Sequence, residues 1–312
     1  MKLHLDFPTF ELPALEPHHE LFAIGSCFGE EMGGRLKAMK ASTCVNPFGN
    51  VFHPMSVAQQ LQRILNGALF TENDVQEHQG RWFSFFCHTL LSQDNKEALL
   101  DTLNRTLQIA HKQLQQSDFL LVTFGTNWGY QLVDSKQWVA NCQKQAAKLF
   151  QKEFPTVEEN QEVWTDLLRS LKQFNPKLKV VFTVSPVRHI QDGLTENLRS
   201  KSVLHLLVQT LEQAADCHYI PSYELVMDSL RDYRFFDSDL VHINELGKSV
   251  VWDWLRDQWF SEDMKVFHRT WLSINKRESH RPFNPETPEH AKFLAKLQED
   301  KKRFQQTYGG NV

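Results

Sequence analysis

Nucleophilic acyl transfer needs an activated nucleophile, a base, a group that orients the base, and donors for the oxyanion. The chain offers a candidate for each. Gly25-Ser26-Cys27-Phe28-Gly29 holds two nucleophile candidates, Cys27 and Ser26. His242 is the candidate base. Asp239, three residues earlier, can reach the imidazole Nδ1 within one turn, which fixes the tautomer and stabilises the imidazolium. Asp237 stands as the alternative partner. Backbone N–H groups of residues 26–28 and of Gly49, with the Asn127 amide, are the expected oxyanion donors. Arg188, His189 and His88 are assigned to the substrate side, where Arg188 would pair with an anionic group. Such chemistry requires neither a metal nor an organic cofactor. Each piece also has a purely structural explanation: a buried thiol, a helix cap, a turn at Gly125-Thr126-Asn127, an aromatic core at 82–86. Their joint order and placement argue for the chemistry.

The elements that must position these residues can be read from the apolar pattern. Leu21–Ile24 is a short buried strand, Gly25-Ser26-Cys27 a sharp turn, and Glu30 onward a helix through Leu36 and Met39. A thiol there lies over a helix N-terminus, which lowers its pKa. Ala41–Val45 reads as a strand ending in the turn Asn46-Pro47-Phe48-Gly49-Asn50. Helices are expected over 56–69 with Ser56 as N-cap, and over 95–116, 157–174, 196–215, 244–259 and 288–304. Strands are expected at 119–124, 180–184 and 219–221, while the aromatic run 82–86 reads as strand or loop. Prolines 8, 13 and 17 suit an extended N-terminal arm. Strands alternating with helices imply βαβ units and a parallel sheet between helices, an α/β protein. The candidate residues fall where strands end, at 25–27, 46–49, 125–127 and 185–189, the usual crevice of a doubly wound sheet. Residues 1–263 are expected to form the α/β domain with its arm, and 264–312 a helical extension.

Composition limits the function classes. A formal net charge of −4 over 312 residues points to neither nucleic acid nor an anionic membrane surface. Five scattered cysteines with no C-x-x-C pair disfavour a zinc site or a disulfide framework. With no bilayer-length apolar run and no apolar leader at the N-terminus, the expectation is a cytoplasmic protein. Its partner would be a small-molecule or glycan acyl ester.

The order Gly-x-(Ser/Cys), Gly, Gly-x-Asn, Asp-x-x-His resembles the four blocks of the SGNH (GDSL-like) hydrolases. It runs through Gly25-Ser26-Cys27, Gly49, Gly125-Thr126-Asn127 and Asp239-Leu240-Val241-His242. More closely, the chain resembles the GSCFA-domain family, with Gly29 in place of that motif's alanine. Further similar segments are Val45-Asn46-Pro47-Phe48-Gly49, Phe124-Gly125-Thr126 with Trp128, Ala140-Asn141-Cys142-Gln143-Lys144, Ser185-Pro186-Val187-Arg188-His189 and Asp232-Tyr233-Arg234-Phe235. The resemblance implies a three-layer α/β/α sandwich with a flavodoxin-like parallel five-stranded sheet, and an esterase-like activity. Aligning the glycines puts Cys27 in the nucleophile position, with Ser26 as the alternative. The expected function is hydrolysis of small acyl esters, such as acetyl on a carbohydrate. Acyl transfer through the same intermediate and non-catalytic binding of acylated sugars are the alternatives. An α/β-hydrolase nucleophile elbow fits less well, because only an irregular arm precedes the motif. No phosphate-binding glycine motif follows a strand.

Overall fold

The computed structural model of the chain describes residues 5–214, 216–280, 283 and 286–309. Nine strands occur among them: β1 (Leu21–Gly25), β2 (Thr43–Val45), β3 (Gln76–His78), β4 (Arg81–Phe83), β5 (Phe119–Phe124), β6 (Gly129–Leu132), β7 (Phe150–Glu153), β8 (Lys179–Val184) and β9 (Cys217–Tyr219). Helices are α1 (Cys27–Ala38), α2 (Pro54–Asn66), α3 (Lys96–Gln116), α4 (Val157–Phe174), α5 (Leu194–Leu211), the single turn α6 (Ser222–Glu224), α7 (Glu245–Trp259), α8 (Glu262–Glu278) and α9 (Pro288–Tyr308).

Five strands form one parallel sheet in the order β2-β1-β5-β8-β9, the flavodoxin-like arrangement. The Leu21–Gly25 run is buried throughout, as a central parallel strand covered on both faces must be. Phe22, Ile24, Leu120, Val122, Phe124, Val180 and Phe182 pack with the apolar stripes of α2 to α5. On the opposite face, Leu21, Phe119 and Val181 pack with α1, α7 and α8. The result is a three-layer α/β/α sandwich. Two small antiparallel hairpins, β3–β4 and β6–β7, stand outside the sheet.

Several boundaries differ from the pattern-based expectation. α1 starts at Cys27, three residues before Glu30. α2 starts at Pro54 and is capped by His53, whose Nδ1 accepts the Met55 N–H at 3.2 Å. Proline with its fixed φ suits the first helical position. Ser56, the expected cap, donates instead to the Val139 carbonyl. α5 ends at Leu211; the expected end at Ala215 lies outside the described residues. The aromatic run splits into β4 and a buried turn containing Phe85, Phe86 and Cys87.

The prolines keep the arm extended, and it lies along α7. Trp254 and Gln258 donate to the Pro8 carbonyl, and Trp259 donates to that of Pro13. At the other end, α9 seats Leu297 and Phe304 against α8, where Phe267 and Phe304 ring centroids are 4.9 Å apart. Trp271 of α8 donates to the Ala38 carbonyl at the end of α1. The C-terminal segment therefore buttresses the helix that begins at Cys27.

Candidate active site

The turn after β1 is built from close approaches. Gly25 has φ +138°, and a Cβ there would lie 2.2 Å from the Thr123 carbonyl oxygen, so only glycine fits. Its N–H donates to Asn46 Oδ1, and its carbonyl accepts from Val51. Asn46 donates to Asn50, which donates to Glu30, tying the β2 turn to the first turn of α1. A Cβ on Gly29 would come 2.5 Å from Thr123 Oγ1, which explains glycine where the resemblance expects alanine.

Ser26 and Cys27 part company here. Ser26 is 1% exposed, and its Oγ has no partner among the described residues. Its backbone N–H is spent on the Thr123 carbonyl. Cys27, the first residue of α1, is half-buried and lines two cavities, of about 470 and 660 Å³. Ser26 provides no side-chain cap, so the N–H groups of Cys27 and Phe28 in the first turn of α1 have no intrahelical partner. Burial pushes the Cys27 thiol above its ordinary pKa; N–H groups of Phe28 and Cys27 pull it back, Glu30 pushes it further up, and Lys201 opposes the rise. The lowering expected from the helix end is thus outweighed by desolvation.

The Asp-x-x-His segment is a loop closed by a bridge between Phe236 and Ile243. Asp237 N–H donates to the His242 carbonyl and Leu240 N–H to that of Asp237, with Leu240 held at φ +60°. Asp239 Oδ2 lies 2.7 Å from His242 Nδ1, while Oδ1 accepts the N–H groups of Val241 and His242. These bonds, the His242 ring's above all, hold the Asp239 carboxyl down at about 2. Asp239, not Asp237, is therefore the partner of the imidazole. Asn244 caps α7 through Gly247 N–H and donates to the Arg234 and Phe236 carbonyls, anchoring the loop. His242 lines both cavities that Cys27 lines, and among the described residues its ring bonds only to Asp239. Thiol and imidazole, more than two hundred positions apart, thus line the same two cavities.

The other expected residues divide. Arg188 and His189 line the larger cavity. The Arg188 guanidinium lies over the Phe236 ring and donates to the Leu240 carbonyl. Burial, with Lys201 nearby, drops His189 to about 4. His88 lines neither cavity: its Nδ1 caps a 3-10 turn at Leu90, and its Cβ would sit 2.3 Å from any Cβ on Gly49. Gly49 N–H is spent on the Asn46 carbonyl. Asn127 is fully buried and bonded through both its amide and its backbone. Its Nδ2 donates to Pro155, its Oδ1 accepts from Asn160, its N–H donates to Ser200, and its carbonyl faces His53 Nε2. Neither Asn127 nor Gly49 lines either cavity, so neither faces the cleft as an oxyanion donor.

Pattern reading passes over Phe52, His53 and Lys152 of the larger cavity and gives Trp128 no role. Lys152 lies 4.5 Å over the Trp128 ring and pairs with Asp192. It also passes over Lys201, 1% exposed on α5, whose Nζ donates to the Gly125 and Ser185 carbonyls at 2.5 and 2.6 Å. The available signal is a lysine inside the stripe Asn197, Ser200, Leu204, Leu207, Val208, Leu211, on the face α5 turns to the core.

The chain matches the GSCFA family over residues 20–254 and the C-terminal domain of GSCFA domain proteins over residues 271–311. No curated protein matches it.

Proposed function

The chain belongs to the GSCFA family, and we propose that it is an SGNH-like acyl-ester hydrolase with Cys27 as nucleophile. One observation carries this reading: Cys27 and the Asp239–His242 pair face the same cleft at the carboxyl edge of the sheet. With Nδ1 bound to Asp239, His242 keeps Nε2 for the substrate side. Because burial favours the protonated thiol, the proton leaves to Nε2 as sulfur attacks the ester carbonyl. The oxyanion develops over the start of α1, where the Cys27 and Phe28 N–H groups and the helix dipole favour negative charge. Collapse expels the alcohol, protonated by the imidazolium, and leaves a thioester. Water activated by His242 then releases the acid. In the larger cavity Arg188 offers a charge, as a sugar bearing polar or anionic groups would use.

A specific observation favours a second reading, acyl transfer. Cys27, Val187 and His242 line both cavities, so a leaving group and an acceptor could approach the thioester from separate sides. The test is turnover of p-nitrophenyl acetate by native protein and by Cys27→Ala, Ser26→Ala and His242→Ala. Turnover lost in the first and third variants and kept in Ser26→Ala supports the reading. No turnover by the native protein on any short acyl ester favours a binder. Product analysis with added polyols separates hydrolysis from transfer.

A further inference from the structure

The segment Asp232-Tyr233-Arg234-Phe235 has no part in the two cavities around Cys27. It forms a 3-10 turn, Tyr233–Phe235, capped by Asp232, whose carboxylate accepts the Arg234 N–H at 2.9 Å and pairs with the Arg234 guanidinium at 3.0 Å. Asp232 and Tyr233 line a further cavity of about 500 Å³. Asp228 reaches it from a π-helical turn, Leu225–Ser229, an element frequent at functional sites. Two arginines, Arg188 and Arg231, line it as well. Arg188 also lines the larger cavity that Cys27 and His242 line, so the two spaces adjoin at its side chain. Its guanidinium lies 5.2 Å over the Phe236 ring and donates to the Leu240 carbonyl at 3.3 Å, which leaves most of its five N–H donors unused among the described residues. The Arg231 side chain has no hydrogen bond or ion pair among the described residues. Asp232 is already taken by Arg234, whereas Asp228 has no ion pair among the described residues.

A lone exposed arginine is ordinarily only solvated. Two guanidinium forks on one cavity, one of them shared with the cleft, match the planar geometry of a carboxylate. A bare inorganic anion would meet Asp228 as a like charge. A sugar acid instead separates its carboxylate from hydroxyl donors by a ring, so that the arginines and Asp228 are both complemented. We propose that this cavity is a subsite for a sugar acid joined to the acylated unit of the substrate. Arg188 and Arg231 take its carboxylate, Asp228 accepts from its hydroxyls, and Tyr233 and Phe236 line the space beside them. The subsite rests on the acyl-ester reading only for the bond that is broken next door. It makes and breaks no covalent bond itself.

The test is direct binding, which needs no ester turnover. Methyl β-glucuronide, methyl β-glucoside and inorganic phosphate are each titrated into native protein while the arginine Nε–Hε resonances are followed by NMR. The Arg188 and Arg231 signals are assigned from Arg188→Lys and Arg231→Lys. The glucuronide is expected to shift both signals, and the glucoside and phosphate to bind at least about tenfold more weakly. Arg231→Ala, shown folded by its thermal melt, is expected to weaken glucuronide binding about tenfold. Asp228→Asn removes the like charge, so phosphate should gain on the glucuronide. Phosphate binding as tightly as the glucuronide to native protein overturns the sugar-acid assignment. Neither arginine signal moving with the glucuronide, or affinity unchanged in Arg231→Ala, overturns the subsite; if that variant does not fold, the native signals decide. Glucuronide binding without any esterase activity would sink the hydrolase reading and leave the subsite, and turnover of acetyl esters without glucuronide binding would do the reverse.

Discussion

Ser26 and Cys27 are adjacent in sequence and unequal in access. The hydroxyl is sealed at 1% exposure with no partner among the described residues, so its removal costs little and spares the cleft. Ser26→Ala is expected to keep esterase activity and to shift stability by less than about 1 kcal/mol, read by urea midpoint. Asp239 gives a sharper prediction. Its carboxylate is held by the His242 ring and two backbone N–H groups, so it stays ionised through the whole working pH range. Asp239→Asn keeps the loop but removes the charge that supports the imidazolium. kcat should fall about 10²–10⁴-fold with KM little changed. At this scale the turn at Gly25-Ser26-Cys27 and the Asp239–His242 contact were legible, the contact because a three-residue spacing allows it. Gly49, Asn127 and His88 line neither cavity, which their position near strand ends does not reveal. Lys201 was invisible because a single charge in an apolar stripe looks like surface.

Helices and loops decide whether the dyad holds. Asn244 ends the Asp239–His242 loop, caps α7 and bonds two loop carbonyls. Asn244→Ala should cost about 1–2 kcal/mol and lower kcat more than stability alone explains, read by thermal melts beside initial rates. Its companion at the other rim is Gly25, where alanine would meet a backbone oxygen at 2.2 Å. The elements read correctly are the ones with strong patterns, Phe119–Phe124 and the α4 span Val157–Phe174, where a capping box at Thr156 and Glu159 marks the start. The hairpins escaped because Gln76-Glu77-His78 is exposed on every residue and Gly129–Leu132 is only partly buried, so neither carries an apolar period. α8 is not drawn as a separate helix of the expected 264–312 extension, although Met264, Phe267, His268, Trp271 and Ile274 repeat at helical spacing.

Across the whole molecule, two buried imidazoles couple folding to pH. Burial holds His53 at about 3 and His189 at about 4, below the 6.5 of an exposed ring. Between those values the unfolded chain binds more protons than the folded one, so stability present above pH 6.5 is lost as pH falls through 4. The urea midpoint should therefore drop from pH 7 to pH 4.5; an unchanged midpoint would contradict the neutral burial of both rings. Phe304 of α9 is 3% exposed against α8, so Phe304→Ala should cost about 3 kcal/mol while the folded fraction keeps its activity. Layer order and strand polarity could be read from the alternation of strands and helices, and they put the candidate residues at one rim. Among the described residues, no helix is long and apolar enough to cross a membrane.

The central claim concerns one sulfur atom. Rapid acid quench of the protein with an activated acetyl ester, followed by peptide mass spectrometry, should find an acetyl group on Cys27 in native protein, accumulating when His242 is replaced by glutamine if deacylation slows more than attack. An adduct mapped to Ser26, or label found only on surface lysines, would contradict the account.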